Sequence, residues 1–458
     1  MIKFSNDFIW GTATSAYQIE GAYNSDGKGP SIWDAFCTIP NRIKNSMNGN
    51  IAIDHYSRYK EDISLLKSQG FKAYRFSISW ARIMPEGKGE VNEEGIQFYS
   101  NLIDELLKNN IIPWVTLYHW DLPLALQTEE DGWLNPKIIE YFESYAKVCF
   151  ERFGDRVKNW ITLNEPWVVA ILGYGQGVFA PGRISNSEPY LAAHHLILAH
   201  AQTVKCYKTE FVNQKGIIGI TNNCDWREPL TQKQRDIDAS ERALLFFLGW
   251  FADPIYLGDY PEVMKDRLGN RLPIFTKEQK KLIKNSSDFF GLNHYTTMYA
   301  AEEDHSGNKN AVYGNGGISE DQDVKLSQDK KWALTESKWA VTPWGCAKLL
   351  EWISNRYSYP TIYITENGFA CNDKLENGEI NDFNRLDYYK QYLEVCHQAI
   401  TKGIKLKGYF AWSMFDNFEW ASGYSLRFGI NYIDYSTLER IPKASAKWFK
   451  EVIKNNGW

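Results

Sequence analysis

The chain has 458 residues, of which 44% are hydrophobic, and its formal net charge is −5 at pH 7. This length is enough for two domains or one large barrel, and the nearly balanced charge argues against a nucleic-acid or membrane-surface partner. The sequence has no apolar run of about 18 residues, so we expect no transmembrane helix. Seven cysteines are scattered without a C-x-x-C pair, and the chain does not open on a basic segment followed by an apolar one. We therefore expect reduced thiols and a cytoplasmic protein without a signal peptide.

Short apolar runs alternate with segments of helical periodicity along the whole chain. The runs that predict strands are 8–13, 73–78, 111–117, 157–163, 216–220, 289–292, 361–365 and 406–412. Amphipathic helices are predicted at 56–69, 96–109, 138–153, 190–210, 237–251, 343–357, 385–402 and 445–455. This alternation predicts an α/β protein with a single (β/α)8 TIM barrel, and we expect one catalytic domain over residues 1–458.

At this length the barrel must carry long insertions, which we expect on the strand-to-helix side. The candidates are residues 31–53, 166–187, 221–236 and 296–338. The last of them is polar, contains Gly314-Asn315-Gly316-Gly317 and has little apolar periodicity. We therefore interpret it as a loop rather than a separate domain.

Polar and aromatic residues follow nearly every predicted strand, where a parallel barrel places its chemistry. Amides, indoles and carboxylates of this kind are suited to binding a polyhydroxylated ring. A barrel with a purely structural role would not need them at so many strand ends. In chain order they are Gln18, Glu20, Arg75, His119, Trp120, Asp121, Asn164, Glu165, Asn222, Asn223, Asn293, His294, Tyr295, Glu366, Asn367, Trp412, Glu419 and Trp420.

Two of these positions share one pattern: an apolar run, then a glutamate, then a residue that breaks the strand. Glu165 precedes Pro166, and Glu366 lies two residues before Gly368. A single glutamate after a strand is more often a surface residue or a helix N-terminal charge. Two in one parallel sheet would emerge at the same edge, and a facing pair of carboxyl groups is the machinery of glycoside hydrolysis.

Other positions have structural alternatives. An arginine within a strand, such as Arg75, often belongs to a buried ion pair, and a lone histidine such as His119 is more often a core residue than a ligand. The spacing of His194, His195 and His200 does not place all three on one helix face, and no H-E-x-x-H motif is present. We therefore predict no metal site.

Eight ordered segments along the chain resemble glycoside hydrolase family 1, the family of retaining β-glucosidases. Four of them are Y-R-F-S-I-S-W-A-R at 74–82, T-L-N-E-P at 162–166, I-T-E-N-G at 364–368 and A-W-S-M-F-D-N-F-E-W at 411–420. The others lie at 10–21, 54–62, 116–123 and 289–296. Any one alone would be weak, but together they cover essentially the whole chain.

The resemblance implies that Glu366 is the nucleophile and Glu165 the general acid/base. Arg75, Tyr295 and Asn293 match the positions that support the nucleophile. Retention of configuration requires carboxyl groups about 5–5.5 Å apart, so that one can attack the anomeric carbon directly. We expect an ionised Glu366 and a protonated Glu165 in the free enzyme.

The resemblance also implies which residues contact the substrate. The sugar-binding set is Gln18, His119, Trp120, Asn164, Trp412, Glu419, Trp420 and Phe428. The aglycone side is expected at Trp167, Asn223 and Trp339. Relatives that act on 6-phosphorylated glycosides lack the acid at Glu419, and thioglucosidases lack the one at Glu165, so we expect neither activity.

The activity implied is that of a retaining exo-β-glycosidase acting on small-molecule β-glycosides. It would release terminal β-D-glucose, and also β-D-galactose or fucose, from cello-oligosaccharides and from aryl or alkyl glycosides. No cofactor is implied, and the sequence predicts no oligomeric state. A transglycosylase using the same intermediate, or a non-catalytic carbohydrate-binding barrel, remains an alternative at this point.

Overall fold

Eight parallel strands close into a barrel in the computed structural model, which describes residues 2–303 and 319–458. The strands are β1 Ile9–Ala13, β2 Ala73–Ser77, β3 Ile112–Tyr118, β4 Asn159–Asn164, β5 Ile217–Asn223, β6 Phe290–Asn293, β7 Ile362–Asn367 and β8 Leu406–Trp412. Each strand pairs with the next along the chain, and β8 returns to β1, with Ala13 opposite Trp412. The predicted (β/α)8 barrel is confirmed.

In the described part of the chain, nine helices follow the strands or precede them on the outside of the barrel. They are α1 His55–Ser68, α2 Glu93–Lys108, α3 Ile138–Phe153, α4 Glu188–Glu210, α5 Gln234–Leu244, α6 Lys277–Ile283, α7 Pro343–Arg356, α8 Phe383–Thr401 and α9 Ala444–Asn455. The helix predicted over 237–251 is helical throughout: it comprises the last part of α5, a π-helical turn, Leu245–Gly249, and the start of a further helix, Trp250–Leu257. Within the described residues, no helix combines the length and apolarity needed to cross a membrane.

Shorter helical segments occupy the connections. The α-helical ones are Ala16–Ile19, Ile32–Phe36, Trp80–Ile83, Leu124–Glu130, Pro166–Val168, Glu262–Leu268 and Ser319–Gln322, and Val169–Gly175 is a π-helix. The 3-10 segments are Lys44–Ser46, Gly132–Leu134, Val212–Gln214, Gly269–Arg271 and Trp420–Ser422. The described parts of the four predicted insertions lie between a strand and the helix that follows it, so they gather around the carboxyl ends of the strands.

The interpretation of 296–338 as a plain loop is wrong. Its ends form the strands Thr297–Glu302 and Val324–Ser327, which join Trp226–Pro229 in a three-stranded sheet. This sheet packs Ala300 and Val324 against Ala239 and Ala243, and burial of these short runs outweighs the weak local periodicity. The glycine-rich segment Gly314-Asn315-Gly316-Gly317 lies outside the described residues. A two-stranded hairpin, Asn431–Asp434 with Glu439–Pro442, follows β8.

Aromatic side chains fill the lower interior of the barrel. The fully buried Trp114 has its ring 5.5 Å from that of Phe289, 4.7 Å from Tyr363 and 5.3 Å from Phe410. Gly11 makes room for Phe410, because a Cβ there would lie 2.3 Å from the Phe410 ring. This packing closes the barrel from below, so a substrate can reach the interior only from the carboxyl ends of the strands.

Candidate active site

The backbone at two strand ends aims Glu165 and Glu366 into the barrel mouth. Glu165 follows β4 in the left-handed region, at φ 49°, a conformation that non-glycine residues adopt at a cost of about 1–3 kcal/mol and mostly at functional sites. Glu366 lies in β7, where the register with β6 shifts between Ile364 and Glu366. Such irregularities commonly turn a side chain toward an active site. The two glutamates are only 7% and 4% exposed.

Glu366 is held by a cation and a hydroxyl group. Nη1 of Arg75, from β2, donates to Oε1 of Glu366 at 2.6 Å, and the Tyr295 hydroxyl donates to Oε2 at 2.8 Å. Arg75 has no exposed surface, and its Nη1 also bonds the carbonyl of Thr365 at 3.1 Å. Both carboxylate oxygens are therefore fixed in direction.

Two asparagines connect this ion pair to the second glutamate. Nη2 of Arg75 donates to Oδ1 of Asn164 at 2.6 Å, and Nδ2 of Asn293 donates to the same oxygen at 3.1 Å. The Asn293 amide also donates to Oε1 of Glu165 at 2.5 Å. Glu165 and Glu366 thus belong to one buried network built from the ends of β2, β4, β6 and β7.

The two carboxyl groups differ in acidity. Burial raises the pKa of Glu165 well above its ordinary value, and the charge of Glu366 raises it further. Burial also raises the pKa of Glu366, while the Arg75 guanidinium and the hydrogen bonds from Arg75 and Tyr295 act in the opposite direction. The Arg75 guanidinium is bonded to Glu366, whereas Glu165 accepts a hydrogen bond only from the neutral amide of Asn293. Glu366 therefore ionises first as the pH rises.

The residues predicted to bind the sugar gather beside this network. Nδ2 of Asn164 lies 3.1 Å from Nε2 of His119, and the His119 ring is nearly parallel to those of Trp412 and Trp420, with ring centroids about 6 Å away. Burial and the Arg75 charge lower the pKa of His119 well below its usual range, so its imidazole is neutral. Trp120 donates its indole N–H to the Asn164 carbonyl at 2.8 Å.

Glu419 and Gln18 form a second polar cluster, the Gln18–Glu419 corner, apart from the network that joins Glu165 to Glu366. Nε2 of Gln18 lies 2.8 Å from the carbonyl of Phe418 and 3.4 Å from Oε2 of Glu419. Burial, reinforced by the charge of Glu366, raises the pKa of Glu419 to about 8. At pH 7 the Glu419 carboxyl is therefore mostly protonated and can both donate and accept.

A protonated Glu419 carboxyl does not repel a phosphate, so the expectation against 6-phosphorylated substrates cannot rest on a negative charge at this position. Arg427, the basic residue in the stretch after Glu419, is already bound to Asp416, with Nη1 at 2.6 Å from Oδ2. Its guanidinium also lies over the Tyr432 and Tyr435 rings. Arg427 is thus committed to structural contacts instead of a phosphate.

A cavity of about 510 Å³ opens above Glu165. Its lining includes the predicted aglycone residues Trp167, Asn223 and Trp339, and from the sugar-binding set Trp120, Glu419 and Trp420. Phe428 packs between the network and the cavity wall, with its ring 6.2 Å from Tyr295 and 5.8 Å from Trp339. The cavity is mostly apolar and large enough for a group beyond a single sugar ring.

Sequence reasoning missed much of this wall. The additional lining residues are Val168, Leu172, Phe179, Asp225, Arg227, Phe247, Thr296, Met298, Leu326, Gln328 and Lys338. Asp225 lies two residues and Arg227 four residues after the end of β5, so the strand-end rule could have found them if applied over four more residues. The apolar ones come from the insertions, except Phe247, which lies in the π-helical turn after α5; no local pattern at these positions distinguishes a cavity wall from core.

The histidines rejected as metal ligands have ordinary partners. Nδ1 of His194 lies 2.9 Å from the Tyr260 hydroxyl, that of His195 lies 2.7 Å from the Trp133 carbonyl, and that of His200 lies 2.7 Å from a threonine hydroxyl. Across residues 2–303 and 319–458, no group of three histidine, cysteine or acidic side chains is placed to hold a metal ion.

Two buried carboxyl groups of unequal acidity are linked through Arg75 and two asparagines at the mouth of a (β/α)8 barrel, and Glu165 lines the cavity beside them. This arrangement is typical of a glycosidase. The sequence model of glycosyl hydrolase family 1 matches residues 1–458, and the chain belongs to this family. It is an enzyme that hydrolyses β-glucosides.

Named relatives agree over nearly the full length. The chain is 49% identical to β-glucosidase 42 of Arabidopsis thaliana, covering 99% of this chain and 94% of that protein. It is 44% identical to coniferin β-glucosidase of Pinus contorta, covering 99% and 92%. Among solved structures, a family 1 β-glucosidase from Thermotoga maritima is 45% identical, with 100% of both chains covered and a TM-score of 0.94. A rice β-glucosidase mutant in a covalent complex with glucose is 43% identical, with 98% and 99% covered and a TM-score of 0.92.

Proposed function

We propose that the enzyme is a retaining exo-β-glucosidase that works by double displacement, with Glu366 as nucleophile and Glu165 as general acid/base. The observation that carries this proposal is the unequal environment of the two carboxyl groups. Glu366 accepts hydrogen bonds from the Arg75 guanidinium and the Tyr295 hydroxyl, whereas Glu165 has one amide donor and a strongly raised pKa. The rice relative's covalent complex with glucose supports a glycosyl–enzyme intermediate.

In the first step Oε of Glu366 attacks the anomeric carbon and the bond to the leaving oxygen breaks. Glu165 gives its proton to that oxygen, and the aglycone leaves as an alcohol. Formation of the ester removes the negative charge of Glu366, which is one cause of the raised Glu165 pKa. Glu165 is then ionised and ready to act as a base.

In the second step a water molecule gives a proton to Glu165 and attacks the anomeric carbon from the side the aglycone left. The ester bond to Glu366 breaks, and β-glucose is released with its configuration retained. Both carboxyl groups return to their starting protonation states. Because Glu366 must be ionised and Glu165 protonated, kcat/KM should fall at both low and high pH.

The substrate range follows from the two sides of the site. The Gln18–Glu419 corner offers donor and acceptor groups to the far hydroxyls of one terminal sugar, which supports exo action. Complexes of the Thermotoga enzyme with deoxynojirimycin and galacto-hydroximolactam favour acceptance of both glucosyl and galactosyl residues; fucosyl residues follow from the family resemblance. The apolar cavity favours aryl and alkyl aglycones, and cello-oligosaccharides are further candidates.

Transglycosylation by the same intermediate is the second candidate function, because an apolar cavity beside Glu165 can hold an acceptor alcohol in place of water.

The test follows hydrolysis of an aryl β-glucoside by proton NMR from the first turnover. The proposal predicts that β-glucose appears first and that α-glucose arises later by mutarotation. Early α-glucose would exclude a retaining mechanism. Adding a small alcohol as acceptor separates the two candidates, since a transglycosylase forms mainly alkyl β-glucoside.

A further inference from the structure

Four buried polar side chains connect the backbone around the catalytic carboxylate to the outer layer of the barrel. They are Asn367, Tyr388, Tyr392 and Tyr409, and none is more than 1% exposed. Asn367 ends β7, Tyr388 and Tyr392 are one turn apart on α8, and Tyr409 lies in β8. None of the four belongs to the cavity lining or to the predicted substrate contacts.

The two α8 tyrosines converge on one atom. The hydroxyl groups of Tyr388 and Tyr392 both donate to the backbone carbonyl of Tyr295, each at 3.2 Å. Their rings stack with centroids 4.1 Å apart and planes 25° from parallel. Stacking leaves each ring little freedom to rotate, so the two hydroxyls clamp Tyr295 at its main chain.

The same set of four side chains also connects β6 to β7 through hydrogen bonds. Nδ2 of Asn367 donates to the His294 carbonyl at 2.6 Å and to the Tyr388 hydroxyl at 2.8 Å. The backbone N–H of His294 donates to the Glu366 carbonyl at 3.1 Å. The Tyr409 hydroxyl completes the set by donating to Oδ1 of Asn367 at 2.5 Å. The main chains that carry Tyr295 and Glu366 are therefore locked to each other and to α8.

We infer that Tyr388 and Tyr392 are positioning residues for the nucleophilic step, because they hold Tyr295 where its hydroxyl bonds Oε2 of Glu366. This inference rests on the proposed role of Glu366 and extends it to residues that touch neither substrate nor carboxylate. The hydrogen bond by which the Tyr295 hydroxyl stabilises the ionised form of Glu366 must stay within a narrow range of distance and angle to be effective. Small displacements at a reacting group are known to cost large factors in rate.

The chemistry of the clamp suits this role. Burial raises the pKa of both tyrosines above the ordinary value, so both hydroxyls remain donors throughout the working range. The charged and titratable groups that face Glu366 itself are Arg75, Glu165, Glu419 and Tyr295, and a phenylalanine at position 388 or 392 changes none of them. An effect on Glu366 would therefore come from geometry.

The experiment compares Tyr392→Phe and Tyr388→Phe with Tyr256→Phe. Tyr256 is a matched control, because its hydroxyl also donates to a backbone carbonyl, that of Phe289 at 2.8 Å, at the opposite end of β6. For an activated aryl β-glucoside we expect each clamp variant to lose about threefold to tenfold in kcat/KM, with KM changed by less than about twofold. The acid limb of the kcat/KM profile should move up by about half a pH unit or more, since a poorly placed Tyr295 no longer favours the ionised Glu366. The control should change neither quantity.

A double-mutant cycle separates positioning from general loosening. In the Tyr295→Phe background, adding Tyr392→Phe should cause no further shift of the acid limb, because the donor it positions is gone. An equal shift with and without the Tyr295 hydroxyl would overturn the inference, and so would clamp variants that behave like Tyr256→Phe. Thermal unfolding of each variant confirms that activities are compared between folded proteins. If Glu366→Gly is inactive while the clamp variants match the control, only this inference fails; an active Glu366→Gly defeats the proposed function itself.

Discussion

Replacing Glu165 with alanine tests its acid/base role while leaving the hydrogen bonds of the neighbouring residues largely unchanged. Glu165 accepts one hydrogen bond, from Nδ2 of Asn293 at 2.5 Å, and that amide keeps Oδ1 of Asn164 as a second acceptor at 3.1 Å. The truncation therefore leaves the Asn293 donor partnered. Glu165 is protonated while Glu366 titrates, so its truncation removes no charge from beside Glu366, and the acid limb of the pH profile should not move to higher pH.

The expected loss depends on the leaving group. General acid catalysis contributes about 10²–10⁴-fold in rate, which corresponds to about 2.7–5.4 kcal/mol of activation free energy. Alkyl glucosides and cellobiose should lose this whole factor in kcat/KM, because their leaving oxygens need a proton. A nitrophenyl glucoside should lose less than about tenfold, since its phenolate departs without one. The basic limb of the pH profile should disappear in the variant.

The assay is kcat/KM for a series of β-glucosides of graded leaving-group acidity, measured for the wild type, Glu165→Ala and Glu165→Gln. The glutamine variant is the matched control, because its side-chain oxygen can still accept the Asn293 hydrogen bond while it cannot act as an acid. It should show the same dependence on the leaving group as the alanine variant. Equal losses for nitrophenyl and alkyl glucosides would refute the assignment of Glu165 as the acid.

Three further outcomes are expected. Glu366→Gly should abolish turnover, and small external anions should restore it with the opposite stereochemistry; activity without additives would contradict the nucleophile assignment. Trp339→Ala should lower kcat/KM for aryl glucosides by about tenfold through lost stacking area, while inhibition by free glucose, measured in parallel, stays within about twofold. Lys443 is fully buried between Asp373 and Asp416, with Nζ at 2.5 and 2.7 Å, so Lys443→Met should reduce the free energy of unfolding by about 3–5 kcal/mol; an unchanged denaturant midpoint would disprove this.

The barrel could be read from the sequence because its signals are local. A buried parallel strand is a short apolar run, and an outer helix has an apolar stripe of helical period, so the eight strands were found with small errors at their ends. The clearest failure falls where long-range packing overrides local pattern. The sheet formed by Trp226–Pro229, Thr297–Glu302 and Val324–Ser327 joins segments far apart in the chain.

For the site, the sequence alone determined which residues stand at the strand ends, since a parallel barrel brings all those ends to one face whatever its loops do. That rule placed Glu165 and Glu366 at one face of the barrel, whereas their roles, and the role of Arg75 within β2, were implied by the family resemblance. Only the tertiary structure decided how they are connected: that Asn293 donates to Glu165, that burial raises the pKa of Glu419, and that two tyrosines of α8 donate to the Tyr295 carbonyl. Hydrogen bonds and pKa values depend on burial and on atoms brought together from distant parts of the chain, and no pattern along a single sequence records those distances.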